Sequence, residues 1–165
     1  MAGSIDAEFL KQINENMGIA HKISRVYFDD AATREDVIQE MLYQLWKSYK
    51  GFQKHSKFST WMYSVCLNTA LTFRRQVKKD VNLPLKEQHD EIPDTSTSAH
   101  DEDIKLLFQA IGKLSPLNKA IILLYLEDLS YDEIATITGL TKSNVSVRLV
   151  RAKKELEKYL NNKNH

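Results

Sequence analysis

Residues 130–156 read SYDEIATITGLTKSNVSVRLVRAKKEL, and this stretch carries signals that start a helix, end it and start another. Ser130 and Glu133 have the spacing of a capping box, which marks a helix N-terminus. Gly139 then ends that helix, because glycine readily takes the left-handed conformation. Thr141 is placed to cap a second, longer helix. The order predicts a short helix, a tight turn and a long helix, which is the helix-turn-helix arrangement.

Apolar side chains follow the helical repeat through both helices of this motif. Ala135 is small at the point where the two helices must cross closely, and Leu140 fills the turn between them. The second helix is expected to run to about Leu160. The residues predicted to face inward are Ile134, Ala135 and Ile137 on the first helix, and Val145, Leu149 and Ala152 on the second.

The N-terminal part of the second helix is left with a polar and basic outer face, and in a helix-turn-helix this part enters the DNA major groove. Arg148 can bond a guanine edge bidentately, and Asn144 can do the same for adenine. Lys142 and Arg151 are better placed for phosphates. Residues 140–165 hold seven basic and two acidic side chains. Charge alone would favour a solvated face on a helix bundle, but the caps, the glycine turn and the small residue at the crossing together favour DNA binding. The outward residues are Lys142, Ser143, Asn144, Val147, Arg148 and Arg151.

The rest of the chain shows helical periodicity and no β-type alternation, so we predict an all-α fold. Before residue 80 we expect three helices: one over residues 4–28, one from an N-cap at Thr33 to about Lys50, and one from Ser59 or Thr60 to about Lys79. After residue 100, Asp101 is expected to cap a helix, and Ser115 followed by Pro116 to cap the next.

Charge is distributed unevenly along the 165 residues, although the formal net charge is only +1. Residues 1–80 hold twelve basic and nine acidic side chains, residues 81–110 hold two and seven, and residues 111–165 hold nine and six. Residues 81–100 also contain two prolines and a Ser/Thr cluster without a sustained apolar period. We therefore expect two small helical domains, 1–80 and 101–165, joined by a flexible acidic linker; a structured acidic loop is the alternative.

Several classes of protein are excluded by what the sequence lacks. The longest apolar run, Ala120 to Leu126, is too short to span a bilayer. The N-terminus has no secretion signal, so a cytoplasmic protein is expected. Cys66 is the only cysteine, which excludes an internal disulfide and a thiolate-rich metal site. The five histidines are scattered and there is no glycine-rich phosphate loop, so we expect no catalytic, cofactor or metal site and no enzyme.

Residues 58–75, FSTWMYSVCLNTALTFRR, raise the question of whether their aromatic side chains form core or a nucleic-acid surface. Leu67 and Leu71 fall with the polar residues on a helical wheel, which suggests more than one partner for this helix. The apolar arc contains Phe58, Trp61, Met62, Val65, Cys66, Ala70 and Phe73, and the polar side contains Thr60, Ser64, Asn68, Arg74 and Arg75.

Three segments, in this order and over nearly the whole chain, resemble the extracytoplasmic-function (ECF) group of bacterial RNA polymerase sigma factors. DVIQEMLYQLW, residues 36–46, is similar to the family's segment that docks on a coiled coil of the polymerase largest subunit. GFQKHSKFSTWMYSVCLNTALTFRR, residues 51–75, is similar to the stretch that melts and reads the minus-ten element. The C-terminal half from Leu114 resembles the fourth conserved region, which reads the minus-thirty-five element.

The resemblance implies roles for individual residues. Trp46 could anchor the polymerase interface or, alternatively, be a core tryptophan, while Trp61 is expected in the core more than as a stacking platform. Thr72 and the Asn118-Lys119 pair depart from the family, which often has an acidic residue and an arginine there. The polymerase-binding residues are Asp36, Gln39, Glu40 and Trp46. The minus-ten residues are Lys54, His55, Lys57, Asn68, Arg74 and Arg75. The minus-thirty-five residues are the outward set of the last helix.

The resemblance also implies the protein's partners. A sigma factor binds core RNA polymerase, through the coiled coil of the largest subunit and the flap of the second-largest, and directs it to a two-part promoter. It contacts double- and single-stranded promoter DNA without a cofactor or insertion into a membrane. An anti-sigma factor, of a kind that is often membrane-tethered, is implied as regulator. An autonomous helix-turn-helix transcriptional regulator is the alternative, but that reading leaves the segment at residues 36–46 without a role.

Overall fold

The structure is a computed structural model, and it describes residues 6–52, 56–79 and 99–163. Among these residues it contains helices and no strand, which confirms the all-α prediction. The elements are α1 (Ala7–Glu15), α2 (Met17–Tyr27), α3 (Ala31–Ser48), a 3₁₀ turn (Tyr49–Gly51), α4 (Phe58–Lys79), α5 (Ala99–Gly112), α6 (Pro116–Leu126), α7 (Tyr131–Thr138) and α8 (Lys142–Lys163). The chain divides into two compact units, Met1–Gln88 and His89–His165.

The predicted linker lies almost entirely outside the described residues. Its last two positions, Ala99 and His100, belong to the first turn of α5. Asp101 therefore lies inside that turn. The prediction that it caps the helix from the preceding position was wrong. A carboxylate in the first turn is still favourable, because it faces the positive end of the helix dipole.

The first unit begins with two helices where one was predicted over residues 4–28. The break falls at Asn16, whose backbone leaves helical geometry at φ −117° and ψ 14°. Its N–H donates to the carbonyl of Ile13, and its side-chain Nδ2 donates to the carbonyl of Gln12 at 2.8 Å. Asparagine side chains compete in this way with the helical hydrogen-bond ladder, which is why a continuous apolar period did not produce a continuous helix.

α3 begins earlier than predicted, because Asp30 and not Thr33 is its N-cap. Oδ2 of Asp30 accepts from the N–H of Thr33 at 3.0 Å and from its hydroxyl at 2.8 Å. These hydrogen bonds, led by the one from the hydroxyl, lower the pKa of the Asp30 carboxyl. The aspartate satisfies a helix donor that a cap at Thr33 would have left open.

α4 packs against both α2 and α3, and this double contact defines the core of the first unit. Tyr63 is 1% exposed and Leu67 is 2% exposed, so Leu67 is buried although the wheel groups it with polar residues, in agreement with more than one partner for this helix. A helix covered by two neighbours buries a wider arc than an amphipathic surface helix does. The fully buried centre contains Ile23 of α2, Met41 and Leu45 of α3, and Met62 of α4.

The second unit is built around α6, which packs against α5, α7 and α8. Local caps start α6 and α7 as predicted. Ser115 accepts from the N–H of Asn118, and Pro116 takes the first helical position. Ser130 and Glu133 form both hydrogen bonds of a capping box, each at 3.1 Å. These caps fix the orientation of α7 and the start of the following turn.

The turn into α8 also follows the prediction. Gly139 has φ +76°, a left-handed conformation that any other side chain would strain. Thr141 caps α8, because its Oγ1 accepts from the N–H of Asn144 at 3.1 Å. α8 extends to Lys163, three residues past the predicted end. The described residues of the second unit thus contain a helix-turn-helix made of α7 and α8.

Candidate functional site

α3 turns a continuous face away from the core of the first unit. Its buried stripe consists of Val37, Met41 and Leu45, each 0% exposed. The exposed side chains lie three or four positions apart, so they form a single stripe along the helix. We call this stripe the α3 outer face; it consists of Asp36, Gln39, Glu40, Tyr43, Trp46 and Lys47. The four residues predicted to bind polymerase are therefore brought together on one surface.

Trp46 is the clearest feature of the α3 outer face. It is 55% exposed, which contradicts the alternative of a core tryptophan. Tyr43, one turn before it, is 51% exposed, and the two ring centroids lie 6.4 Å apart. Lys47 Nζ lies 6.0 Å from the centroid of the Tyr43 ring. Adjacent exposed aromatic side chains are typical of protein interfaces, where their area is buried by a partner.

Tyr43 and Lys47 were missed by sequence reasoning. The spacing in the sequence could have identified Tyr43. It lies seven positions after Asp36 and three before Trp46, so the helical repeat places it on the same stripe. The negative face of the Tyr43 ring attracts the ammonium group of Lys47, which holds the two side chains together. The α3 outer face thus combines acidic groups at one end with an aromatic and basic end.

A groove separates α3 from α4 and has a volume of about 300 Å³. Gln44 Nε2 donates to Glu40 Oε1 at 3.0 Å, which orients both side chains at its rim. Asn68, the residue predicted to read the minus-ten element, is exposed at the opposite rim with Thr72. Amide and hydroxyl groups that line a groove can hydrogen-bond base edges or backbone. The lining residues are Glu40, Gln44, Asn68, Thr69, Thr72, Phe73 and Gln76.

The two arginines predicted for minus-ten DNA point to different surroundings. Arg75 is exposed and lies seven positions after Asn68, hence on the same side of α4. Arg74 is half-buried and close to Tyr27 of α2. Burial raises the pKa of the Tyr27 hydroxyl, and the positive charge of Arg74 partly opposes that rise. The structure therefore groups Arg75, but not Arg74, with Asn68.

An aromatic cluster holds the start of α4 and answers the question raised by its sequence. Trp61 is half-buried, and its ring lies 4.9 Å from Phe52, 5.3 Å from Phe58 and 6.2 Å from Tyr49 between centroids. Trp61 thus packs inside its own unit, as the wheel indicated. Phe52 and Phe58 also contact each other, at 5.9 Å, across the residues that connect the 3₁₀ turn to α4.

That connecting segment contains three basic residues predicted to contact the minus-ten element. Lys57 is exposed directly before α4. Lys54 and His55 lie outside the described residues. Because Phe52 and Phe58 pack together, the two ends of the segment are held close to each other. Lys57 is thereby kept at the N-terminus of α4, about three turns from Asn68 at 3.6 residues per turn.

The N-terminal part of α8 presents the residues predicted for the minus-thirty-five element. Val145, Leu149 and Ala152 are at most 1% exposed and hold the helix against its unit. Arg148 is half-buried, so it is less open to a partner than the exposed residues around it. The exposed members of the predicted set are Lys142, Ser143, Asn144, Val147 and Arg151. Five predicted side chains therefore share one open surface.

Lys142 has a partner within the motif. Its Nζ lies 3.6 Å from Oδ2 of Asp132 on α7, and both side chains are more than 60% exposed. An ion pair this open to water contributes little to stability and exchanges easily for another anion. By contrast, Lys119 at the start of α6 is 7% exposed, and Asn118 is 9% exposed. A contact of Lys119 with an external phosphate is therefore not supported by its position.

Cys66 of α4 is buried in the core of the first unit. Burial raises the pKa of the Cys66 thiol to about 12, which leaves it protonated and unreactive at neutral pH. No group of His, Cys, Asp or Glu in the described ranges is arranged to hold a metal ion. No helix in those ranges is long and apolar enough to cross a membrane.

Comparison with known proteins identifies both units. Residues 13–79 match the family described as Sigma-70 region 2, and residues 104–156 match Sigma-70, region 4. The chain is 31% identical over 135 residues to the ECF RNA polymerase sigma-E factor of Haemophilus influenzae, covering 74% of this chain and 71% of that protein. It is 30% identical over 135 residues to the sigma-E factor of Escherichia coli strain K12, with the same coverage.

Two solved structures share the fold. The sigma factor RpoE from Bartonella quintana, in complex with the anti-sigma factor NepR, matches with a TM-score of 0.77 and 17% identity, over 94% of this chain and 98% of that one. CnrH, in complex with the cytosolic domain of CnrY, matches with a TM-score of 0.65 and 19% identity, over 93% and 87%. At these identities the likeness establishes the helical fold.

Proposed function

Because this chain belongs to the ECF group of RNA polymerase sigma factors, we propose that three of its surfaces share the work of starting transcription at a promoter. The protein is a sigma factor that directs promoter-specific transcription initiation. Its family consists of initiation factors and not of enzymes, and we extend this to the chain itself. We place it in the cytoplasm, where core RNA polymerase is found, and not inserted in a membrane.

The α3 outer face is the proposed polymerase-docking surface. The exposure of Trp46 and Tyr43 is the observation that carries this proposal, because folding within the unit leaves both aromatic side chains about half uncovered. Asp36, Gln39 and Glu40 supply hydrogen-bonding and acidic groups beside them. A coiled coil of the polymerase largest subunit is an elongated helical partner, which suits a straight stripe on one helix.

The outer side of α4 is the proposed minus-ten surface. Asn68 and Arg75 lie on one side of the helix, with Lys57 at its start. Amide groups can read base edges, and exposed cations bind the phosphates of a separated strand. Lys54 and His55 extend this role on the basis of the sequence alone. We assign the larger phosphate contribution to Arg75, because Arg74 is partly covered beside Tyr27.

α8 is the proposed reader of the minus-thirty-five element. The exposed N-terminal turns carry Asn144 and Ser143 for base edges, with Arg148 at their side. Lys142 and Arg151 are proposed to bind phosphates on either side of the groove. The weak ion pair between Lys142 and Asp132 would exchange for a phosphate without a large loss. The autonomous-regulator alternative is not favoured, because it leaves the region 2 unit unexplained.

These roles assign a domain to each function. We propose that residues 1–80 form the polymerase-docking and minus-ten domain, that 81–100 form an acidic linker and that 101–165 form the minus-thirty-five domain. We also propose that the last domain contacts the flap of the second-largest polymerase subunit. An anti-sigma factor is the proposed regulator, since two proteins of the same fold are solved with NepR and CnrY. Such a partner, soluble or membrane-tethered, would cover the docking surface.

Transcription in vitro tests the proposal. Core RNA polymerase and genomic promoter fragments are incubated with and without the purified protein, and discrete start sites are expected only in its presence. Gln39→Ala is expected to reduce binding to core polymerase, whereas Leu10→Ala, which removes a 46% exposed side chain from α1, is expected not to. A protein that shifts duplex DNA alone but never joins core polymerase would contradict the docking role and leave only the helix-turn-helix.

A further inference from the structure

Two valines are exposed on the outer face of α8, among side chains that are otherwise polar or charged. Val147 keeps 49% of its surface exposed and Val150 keeps 52%. Seven large apolar side chains in the described part of the chain are exposed to this degree, and these two lie three positions apart on one helix. Residues three apart are neighbours on a helix surface, so Val147 and Val150 form one apolar patch, the valine patch.

The valine patch points away from the rest of its unit. At 100° per residue, Val147 lies about 200° and Val150 about 140° around the helix axis from buried Val145. Both are therefore within about 50° of the direction opposite the buried stripe. The rise of 1.5 Å per residue separates them by about 4.5 Å along the axis. This is close to the 3.4 Å between successive base pairs, so the two valines can face neighbouring base pairs.

Folding does not explain valine at these two positions. A β-branched side chain loses rotamer freedom in a helix, and exposed helix positions are better filled by alanine, lysine or glutamate. Isolated apolar residues on a surface are ordinary. Here, however, the pair lies on the same open side as Ser143 and Arg151, where the proposed DNA contacts are made. An apolar group of the DNA in the major groove, packed against Val147 and Val150, would account for valine at both positions.

A base pair presents one apolar group in the major groove, the C5 methyl of thymine. We propose that the valine patch reads thymine methyl groups at neighbouring positions of the minus-thirty-five element. This inference rests on the proposed role of α8. It adds Val150 to the predicted set and gives Val147, already in that set, the task of selecting a base by shape and not by hydrogen bonds. Asn144 and Arg148 would read purine edges at adjacent positions. We therefore expect a minus-thirty-five element that combines purines with thymines, the thymines lying on the strand that faces the valine patch.

Replacing thymine by deoxyuridine tests the inference, because the change removes only the C5 methyl. The full chain is assembled with core RNA polymerase, and the holoenzyme selects duplexes from a random-sequence pool. The best duplex is then resynthesised with each upstream thymine changed singly to deoxyuridine. At one or two neighbouring positions we expect about fourfold weaker binding, which corresponds to one methyl-sized group no longer buried.

Serine variants connect that effect to the valines. Val147→Ser and Val150→Ser keep the helix, because both positions are exposed, and each is expected to bind thymine and deoxyuridine duplexes equally at its position. Val77→Ser, which changes a 44% exposed valine on α4, is the matched control and is expected to keep the fourfold difference.

Two results would overturn the inference while the sigma-factor role stands. One is a holoenzyme that initiates normally yet binds every deoxyuridine duplex as well as its thymine parent. The other is a fourfold difference that persists in both serine variants. Formation of the holoenzyme is measured first; if it does not form, the proposed function fails, and the inference about the valine patch fails with it.

Discussion

Replacing Trp46 by alanine is expected to weaken binding to core RNA polymerase by about 30- to 300-fold. A tryptophan offers up to about 250 Å² of surface. Since Trp46 is 55% exposed, about 140 Å² of it remains for a partner to cover. At about 25 cal/mol per Å², complete burial contributes about 3.5 kcal/mol. Incomplete burial brings the lower limit to about 2 kcal/mol, which is the usual threshold of an interface hot spot.

The fold should tolerate this change. Trp46 lies on the surface of α3, opposite the buried stripe, and alanine is the better helix former. We expect the free energy of unfolding to change by less than about 1 kcal/mol. Circular dichroism during urea unfolding checks this, and the affinity is measured by titrating labelled full-length protein with purified core polymerase.

Leu10→Ala is the matched control, because it removes a comparably exposed side chain of the same unit outside the α3 outer face. It should bind core polymerase as the parent does. A folded Trp46→Ala protein that binds within about twofold of the parent would contradict a docking role for Trp46, since about 0.4 kcal/mol is far below the energy expected for burying its exposed surface.

Three further predictions concern DNA binding and stability. Arg75→Ala should weaken binding to melted minus-ten DNA more than Arg74→Ala does, because only Arg75 shares the open side of α4 with Asn68; equal losses in a filter-binding assay would argue against this grouping. Ser130→Ala should lower the free energy of unfolding by about 1 kcal/mol, since it removes the capping box of α7, and an unchanged urea midpoint would contradict it. With a pKa of about 12, the buried Cys66 thiol should resist a thiol reagent at pH 8 and react on addition of urea; rapid reaction of the folded protein would show that it is accessible.

The start and end of most helices in the second unit could be predicted from the sequence, because short-range hydrogen bonds determine them. Ser115, Ser130 and Thr141 accept from backbone N–H groups within three residues. Gly139 takes its left-handed conformation within the same short stretch. Such interactions depend on neighbours in the chain and need no knowledge of the packing. The helix-turn-helix therefore followed directly from one segment.

The predicted helix boundaries were wrong where two local signals competed, at the start of α3 and at the break between α1 and α2. Thr33 and Asp30 are both good cap residues three positions apart, and only the backbone path shows that Asp30 is the cap. Asn16 interrupted a stretch whose apolar period runs on through both α1 and α2. At Asn16 the periodic signal was real, but a side-chain hydrogen bond overrode it locally.

The functional surfaces divide in the same way between sequence and packing. The sequence alone was enough to predict most of the residues that form the α3 outer face and the outer face of α8. It was also enough to indicate the family. Only the tertiary structure decided which of these side chains are covered. Trp46 is exposed, Leu67 is buried and Arg74 lies beside Tyr27, and these positions depend on how α2, α3 and α4 pack together. A helical wheel describes one helix with one apolar side, whereas burial depends on how many neighbours surround that helix and from which directions.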